Sequence, residues 1–447
     1  MNLKKIFSVN RFLGLEDQSD VIKSVFNRFL LFVLIENLVS GIASTFFILY
    51  VIDSVGFKQA SIITSIILLV KLITDYPSGS LSDKIGQGKV MALSYLFYAI
   101  ATFVLSFSDN FEMFVIVAIF LGLAYAQSSG TIFSWLDNNY QSLSNDLDSE
   151  RKIYGYAKVR ARMIYRTELG LVVLLGGFLS NYFSRIFVFR LESILAFIAI
   201  FLSMILLNNF YFTSIKEDQD DVSLFNHFKG GLSFFVSSKK VFLFLSGQSF
   251  YYSGWQIWLA IILFPFYFGY TGSDQVASIL RSLIFFGGSI VVVVTAKLSK
   301  KFAKKDIGKI QSVYLVSQLL GIIIIMLLIE PTNTFNSLAF ILVILLFNST
   351  MVFSVIINSL EDRILVDMVP SENRNSVYSL MPTFSAFLAI LFIPITGRLI
   401  NKYNFVIGVA VVFVVCLLGT LMIFLSTTIK DGKQPITKTK KKLGIPS

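Results

Sequence analysis

The chain has few of the side chains that build metal sites and covalent cross-links. Among its 447 residues, Cys416 is the only cysteine and His227 the only histidine. A single cysteine excludes a disulfide within the chain, and the pair cannot supply the ligands of an ordinary zinc site. No Gly-x4-Gly-Lys-Ser/Thr loop is present to hold a nucleotide, and a lone histidine argues against a Ser-His-Asp centre. We therefore expect no cofactor, no metal and no enzymatic activity.

Charge is also scarce. Only 15% of the residues are charged and 55% are hydrophobic, whereas a soluble domain carries about 25% charged residues. Apolar runs of 18 or more residues recur along the chain, each long enough to cross roughly 30 Å of hydrocarbon. Because a lone strand cannot satisfy its backbone polar groups in lipid, we expect helices. The twelve runs lie at about 26–52, 57–78, 90–108, 111–136, 160–181, 187–212, 240–268, 275–297, 309–329, 335–359, 376–400 and 404–427.

The basic residues, which give a formal net charge of +11, are unevenly distributed. They concentrate in the N-terminal arm, in the loops after even-numbered runs and in the C-terminal tail. The remaining loops hold only Lys58, Arg185, Arg190 and Lys402. This asymmetry is the positive-inside pattern. It predicts a multi-pass protein of the cell (inner or plasma) membrane with both termini in the cytoplasm. Lipid headgroups are then the expected partners of the basic tail, and nucleic acid is not.

The chain repeats itself at long range. Ser80-Leu81-Ser82-Asp83-Lys84 follows the second run, and Lys297-Leu298-Ser299-Lys300-Lys301 follows the eighth, at an offset of 217 residues. A parallel repeat of this kind predicts an all-α membrane protein with twelve transmembrane helices in two pseudo-symmetric six-helix bundles. The predicted domains are an N-terminal bundle (1–212), a cytoplasmic linker with an amphipathic helix (213–239), a C-terminal bundle (240–428) and a basic cytoplasmic tail (429–447).

The loop between the second and third runs carries the most informative motif. It reads Gly79-Ser80-Leu81-Ser82-Asp83-Lys84-Ile85-Gly86-Gln87-Gly88-Lys89. This loop resembles the signature G-x-L-x-D-[RK]-x-G-[RK]-[RK] of the major facilitator superfamily. Asp75-Tyr76-Pro77-Ser78-Gly79 and Pro370-Ser371-Glu372-Asn373-Arg374 are similar to stretches of an efflux-type branch of bacteria and archaea. The resemblance implies a monomeric secondary transporter that exports a small lipophilic compound in exchange for protons.

The residue types of this loop fit a conformational latch between the two bundles. A glycine lets the second and eleventh helices approach closely, and another permits the tight turn. The aspartate can accept hydrogen bonds from the start of the eleventh helix, where the helix dipole favours negative charge. The latch candidates are Gly79, Asp83, Lys84, Gly86, Lys89 and Arg374.

One position of the loop departs from the family. The residue after Gly86 is usually basic and is Gln87 here. In the family this base pairs with an acid at the end of the fourth helix, for which Asp137 is the match. Either the latch is weaker in this chain, or Arg160 or Arg162 takes over the pairing.

Acidic residues within the apolar runs are candidates for proton coupling, since a charge costs roughly 2.5–3.5 kcal/mol at a helix centre. Glu36 lies well inside the first run with no cation within one turn. It could carry a proton or pair with a cationic substrate, and the alternative is capping by an arginine of a neighbouring helix. Asp137 and Glu168 are further coupling candidates.

The seventh run is unusually polar and aromatic. Tyr251, Trp255 and Trp258 share one helical stripe, which Gln248 extends. Facing a central cavity, the stripe would bind an amphipathic compound through its ring faces. Facing lipid, it would form an aromatic belt. We predict the cavity. Further substrate-binding candidates are Asn37, Arg281, Asn348 and Asn358, although Arg281 could also reach toward the outer surface and the last two could join helices.

These patterns together predict a secondary active transporter of a small organic compound, working by alternating access. Two alternatives remain. One is an uptake carrier for a sugar or metabolite, whose site would be richer in Asn and Gln. The other is a receptor or scaffold that keeps the fold without transport, which Gln87 and the altered second copy of the loop would favour.

Overall fold

The protein is described here from a computed structural model, which covers residues 9–129, 131–144, 148, 151–208, 233–296, 298–369 and 374–429. These residues form α-helices and short connections, and they include no strand. The helices are α1 (Val9–Leu13), α2 (Asp20–Gly41), α3 (Phe47–Ile85), α4 (Gln87–Leu105), α5 (Phe111–Ser128), α6 (Thr131–Ser144), α7 (Lys152–Tyr182), α8 (Arg185–Leu206), α9 (Lys239–Ile257), α10 (Leu263–Thr271), α11 (Asp274–Ala296), α12 (Ile307–Leu328), α13 (Ser337–Met368), α14 (Arg374–Lys402) and α15 (Phe405–Thr428).

The helices confirm the predicted twelve-crossing fold. Ten segments of the described residues are long and apolar enough to cross a membrane. Two further crossings are interrupted. The first consists of α2 and the start of α3, and Gly56, with φ +77°, divides α3 into the first and second crossings. The seventh consists of α9 and α10, joined by the π-helical turn Trp258–Ile262.

Side-chain caps fix where half of the crossings begin. The first N–H groups of a helix have no partner within it, and a Ser or Asn oxygen just before the helix can accept from one of them. Each cap here accepts from the N–H three residues ahead. The caps are Ser19, Asn110, Ser184, Ser238, Asn336 and Asn404.

The outer surface of the helices is apolar, as expected for a lipid-facing protein. Leu327 and Leu328 of α12 are 80% and 72% exposed, and Ile205 of α8 is 65% exposed. A soluble monomer rarely exposes so much large apolar surface. The protein is therefore a multi-pass membrane protein.

Within each half, glycine lets helices cross closely. In the C-terminal half, α9 meets α15 where Gly247 faces Gly419, and a Cβ on Gly419 would lie 2.5 Å from the Gly247 carbonyl oxygen. In the N-terminal half, α7 presses on the non-helical segment 42–46 at Gly176. Without a hydrophobic force between helices in lipid, such close backbone packing supplies much of the association energy.

The two halves meet through α3 against α14 and α7 against α11. Gly397 packs on Ser61, and Gly177 packs on Ser278. These contacts lie toward the end of the bundle that carries Gly56, which we call the distal end. The opposite end, where the described chain starts and stops, is the terminal end. Of the predicted linker and tail, residues 213–232 and 430–447 lie outside the described residues.

The packing of Gly176 gives a stability prediction. A Cβ at this position would lie 1.7 Å from the carbonyl oxygen of Ile42, so Gly176→Ala forces backbone to move. We expect a loss of about 1–3 kcal/mol of stability, seen as a lower thermal unfolding midpoint of the purified protein in detergent. Gly155→Ala is the control. Gly155 lies on the same helix as Gly176, and a Cβ added there would have no neighbouring atom within 4 Å. Equal midpoints for the two variants would contradict the packing.

Candidate functional site

Charged groups from both halves close the distal end. The Arg185 guanidinium donates two hydrogen bonds to the Asp274 carboxylate, of 2.7 and 2.8 Å, and a third of 2.7 Å to Asp53. The Ser180 hydroxyl donates to the same Asp274 carboxylate at 2.6 Å. The side chains of Arg185 and Asp274 are only 17% and 10% exposed. We call these four residues the distal clamp. Because α11 belongs to the C-terminal half and the other three residues to the N-terminal half, the clamp joins the halves.

Arg281 forms a second link deeper in the bundle. Its guanidinium donates to the hydroxyls of Ser44 and Thr45, at 2.7 and 3.2 Å, in the segment that interrupts the first crossing. It also lies 4.8 Å from the centre of the Phe264 ring and 5.2 Å from that of Phe285. The side chain therefore bridges the halves instead of extending to the distal surface. Ser282, one residue on, donates to the Gly170 carbonyl across the same interface.

The terminal end has polar, accessible walls. One helical face of α2 carries charged and amide side chains, and it lines a cavity of about 410 Å³. On α7, in the same half, Val159 is 55% exposed although it is apolar. The cavity is lined by Asn10, Asp20, Lys23, Ser24, Asn27, Arg28 and Leu31. This cavity is lined by α1 and α2 of the N-terminal half, at the end of the bundle opposite the distal clamp.

Glu36 lies near the C-terminal end of α2 and accepts a hydrogen bond of 2.5 Å from the Tyr95 hydroxyl of α4. No described cation forms an ion pair with it, so the arginine cap considered for this residue is not what the structure shows. Glu168 of α7 has a buried Oε2 without a described partner. Asn37, 1% exposed, donates to the Tyr165 carbonyl at 3.2 Å. Asn37 therefore ties α2 to α7 within the N-terminal half.

A third carboxyl group in this half was not singled out from the sequence. Glu192 of α8 is 2% exposed and accepts a hydrogen bond of 3.0 Å from the Ala43 N–H, in the interrupted segment of the first crossing. The Glu192 carboxylate takes the place of the backbone carbonyl that would accept from this N–H in a continuous helix. The only sequence signal was an acidic residue within the sixth apolar run.

Asp137 has a cation partner that sequence reasoning did not name. The Lys158 ammonium lies 3.2 Å from its carboxylate, and the Tyr154 hydroxyl donates to it as well. The two arginines proposed as substitutes lie elsewhere: Arg160 donates to the Phe12 carbonyl, and Arg162 lies 5.5 Å from the Phe133 ring centre.

The latch loop is described only in part. Gly86, with φ +89°, ends α3 and lets α4 start at the next residue. Lys84 and Lys89 are exposed beside this turn, and Gln87 is 4% exposed with no described partner for its Oε1. The surroundings of Gly79 and the side chains of Asp83 and Arg374 are outside the described part of the structure, so the latch itself remains a prediction.

The C-terminal half contains a cavity of about 600 Å³ between α9, α13 and α14. Glu361, 6% exposed, accepts a hydrogen bond of 2.5 Å from the Tyr252 hydroxyl at its wall. Gln256 donates to the Ser385 hydroxyl at 2.8 Å on another wall. The lining residues are Ser249, Tyr252, Trp255, Gln256, Leu259, Glu361, Asp362, Leu365, Met381, Pro382 and Ser385.

Of the predicted stripe on the seventh crossing, only Trp255 lines this cavity. Gln248 is fully buried against Gln311 of α12, with 3.5 Å between the amides. Tyr251 is 3% exposed and packs on α15, and Trp258 is 2% exposed and stacks on Phe347. The expectation that the whole stripe faces the cavity is therefore corrected, because neighbouring helices of the same half cover most of it.

The two asparagines of the tenth crossing do not line the cavity. Asn348 donates to the Ile344 carbonyl at 3.0 Å and packs against Gly287 of α11. Asn358 is exposed. Within the described residues, no group of three or more His, Cys, Asp or Glu side chains could hold a metal ion.

Comparison with known proteins agrees with this geometry. Residues 29–139 match the family model of the Major Facilitator Superfamily. The nucleoside transporter NupG has a similar structure, with a TM-score of 0.68, 14% identity, and coverage of 92% of this chain and 99% of the other. A point mutant of that transporter matches equally well, at 16% identity. None of the curated proteins compared with the chain matches its sequence.

The distal clamp gives a test of the two-state geometry. Arg185→Gln removes the charge that Asp53 and Asp274 share, and hydrogen bonds to charged groups are worth about 1.5–3 kcal/mol. We expect the ratio of distal-closed to distal-open protein to fall by about tenfold or more. Spin labels at Lys58→Cys and Lys402→Cys, both exposed on opposite halves, report the distance by pulsed EPR in a Cys416→Ala background.

Arg190→Gln is the matched control, since Arg190 lies at the same end and contacts the Phe107 ring. It should leave the distance distribution unchanged. A single short distance in Arg185→Gln, identical to that of the parent, would show that the clamp does not hold the distal end.

Proposed function

We propose that the chain is a transporter of the major facilitator superfamily and that it exports a small organic compound from the cytoplasm in exchange for protons, by alternating access. The observation that carries the proposal is the distal clamp, which joins the halves at one end while polar walls remain accessible at the other. Under the predicted topology, the accessible side is the cytoplasm, where an exporter loads its substrate.

The clamp suits a reversible gate. Its ion pairs lie near the distal surface, where water can solvate the separated charges when the halves part. The interface behind it consists of small residues and hydroxyl contacts, among them Gly177 with Ser278 and Ser282 with Gly170. Such contacts hold two rigid bundles together without a large apolar core that would resist separation.

Glu36 is the proposed proton carrier. It is partly buried in α2, and its only described side-chain partner is the Tyr95 hydroxyl. A carboxylate without a cation is expensive in lipid, so protonation in one state and release in the other gives the cycle a coupling step. Asp137, by contrast, already has the Lys158 ammonium beside it. Glu168 remains a second candidate because its Oε2 is buried without a described partner.

The direction of transport rests on the family branch that the sequence motifs resemble. NupG is a nucleoside transporter, but at 14% identity the likeness carries the fold alone. Uptake of a metabolite and a receptor role without transport are the alternatives that the experiment below separates from export.

Replacing Glu36 by Gln keeps the hydrogen bond acceptor for Tyr95 and removes the titratable group. We expect the protein to fold and to lose proton-driven transport completely, while exchange down a substrate gradient persists. Inverted membrane vesicles with an acid interior are incubated in an external solution of cationic, neutral or anionic fluorescent dyes. The wild type should accumulate at least one dye, and a protonophore should collapse the accumulation.

Glu112→Gln, which removes an exposed acid from the same half, is the control and should behave as the wild type. Full proton-driven accumulation in Glu36→Gln would remove this residue from the coupling mechanism. Accumulation only in right-side-out vesicles would replace export by uptake. Absence of any gradient-driven movement in either orientation would favour a receptor.

A further inference from the structure

We infer that the cavity between α9, α13 and α14 is the substrate-binding site and that its ligand is an organic cation with a flat aromatic ring. The inference rests on the proposed transport function and names its substrate class. It depends on the size of the cavity, the orientation of one tryptophan and the charges of the walls.

The cavity has the size and composition of a small-molecule site. Its volume of about 600 Å³ lies within the range of roughly 300–1,000 Å³ for such pockets. Most of its lining is apolar or aromatic, including Leu365, Met381 and Leu259. Leu259 is 55% exposed although it is a large apolar side chain. An apolar ligand body can therefore displace water from these walls.

Trp255 provides a flat surface in a fixed orientation. Its ring stacks on the ring of Tyr314 from α12, with 5.6 Å between the centroids and 29° between the planes. The same tryptophan lines the cavity. A ring held from behind loses little freedom when a second flat ring stacks on its other side, and its electron-rich face attracts a cation.

The charge of the cavity selects the sign of the ligand. Glu361 and Asp362 both line it, and neither forms an ion pair with a described cation. Arg162, on the other half, is not among the residues that line the cavity. Glu361 is 6% exposed and has the Tyr252 hydroxyl as its described partner. A carboxyl group so enclosed gains most from a cation that enters with the ligand, and an anion would be repelled.

A hydrogen-bonding pair lies on the same wall as the tryptophan. Gln256 lines the cavity and donates to Ser385 through its amide nitrogen, which leaves its amide oxygen as an acceptor. An N–H group on the ligand could use this oxygen. Each residue has a separate role in this site. Trp255 stacks on the flat ring of the ligand, Glu361 binds its positive charge, and Gln256 orients it.

The test compares two probes of the same shape. N-methylquinolinium carries a permanent positive charge, and 1-methylnaphthalene is its neutral counterpart. Binding to the purified full-length protein in lipid nanodiscs is measured by equilibrium dialysis. We expect the cation to bind at least about tenfold more tightly than the neutral probe, which corresponds to about 1.4 kcal/mol.

Glu361→Gln should weaken binding of the cation by about tenfold and leave the neutral probe unchanged. Trp255→Ala should weaken both probes, and Trp255→Phe should restore most of the loss because it keeps an aromatic face. Glu112→Gln is the charge-matched control outside the cavity. Thermal unfolding of each variant checks that the fold is intact.

Equal affinities for the two probes, or an unchanged cation affinity in Glu361→Gln, would overturn the inference. This result is distinguishable from failure of the proposed function. Gradient-driven dye accumulation that persists without cation binding would leave transport standing and remove only this substrate class. Cation binding that requires Glu361 but is not accompanied by any transport would retain the site and replace the exporter by a receptor.

Discussion

The guanidinium of Arg185, shared between carboxylates of both halves, is the contact on which the described conformation depends. Lipid surrounds apolar helices as favourably as other apolar helices do, so burial alone gives the halves little reason to stay together. Directional contacts must then decide which end is closed. Asp274 is well placed for this role because it begins α11, where the helix dipole favours its negative charge. One charged cluster can thus set the direction in which a largely apolar protein faces.

Each half encloses a carboxyl group in the same chemical setting. Glu36 accepts from the Tyr95 hydroxyl and Glu361 from the Tyr252 hydroxyl, both at 2.5 Å and both without a described cation. The surroundings differ, however. Glu36 lies on the crossing that Arg281 and Glu192 contact through residues 43–45, whereas Glu361 lines a cavity with aromatic walls. This difference supports assigning the proton to the first carboxyl group and the substrate to the second.

The fold could be predicted from the sequence because lipid imposes a strict rule on composition. A segment that crosses must be apolar over its length and helical, so each of the twelve runs was visible locally. Element ends were less visible. The tenth apolar run ends at residue 359, but α13 continues to Met368. The hydrophobic pattern therefore places Glu361 and Asp362 in a loop and does not indicate the acidic wall of the cavity. An apolar count stops at the first charges, although a helix facing a cavity can continue through them.

The orientation of side chains could not be obtained in the same way. Periodicity shows that Tyr251, Trp255 and Trp258 share a stripe, but it cannot tell which neighbour the stripe meets. The neighbours of the stripe are Tyr314, Phe347 and α15, all of them distant from it in sequence. The partner of Asp137 illustrates the same limit at short range, since Lys158 and Arg162 are one helical turn apart and only packing selects between them. The fold can be predicted segment by segment, because each segment must match the solvent around it. A binding site cannot, because it depends on which segments become neighbours.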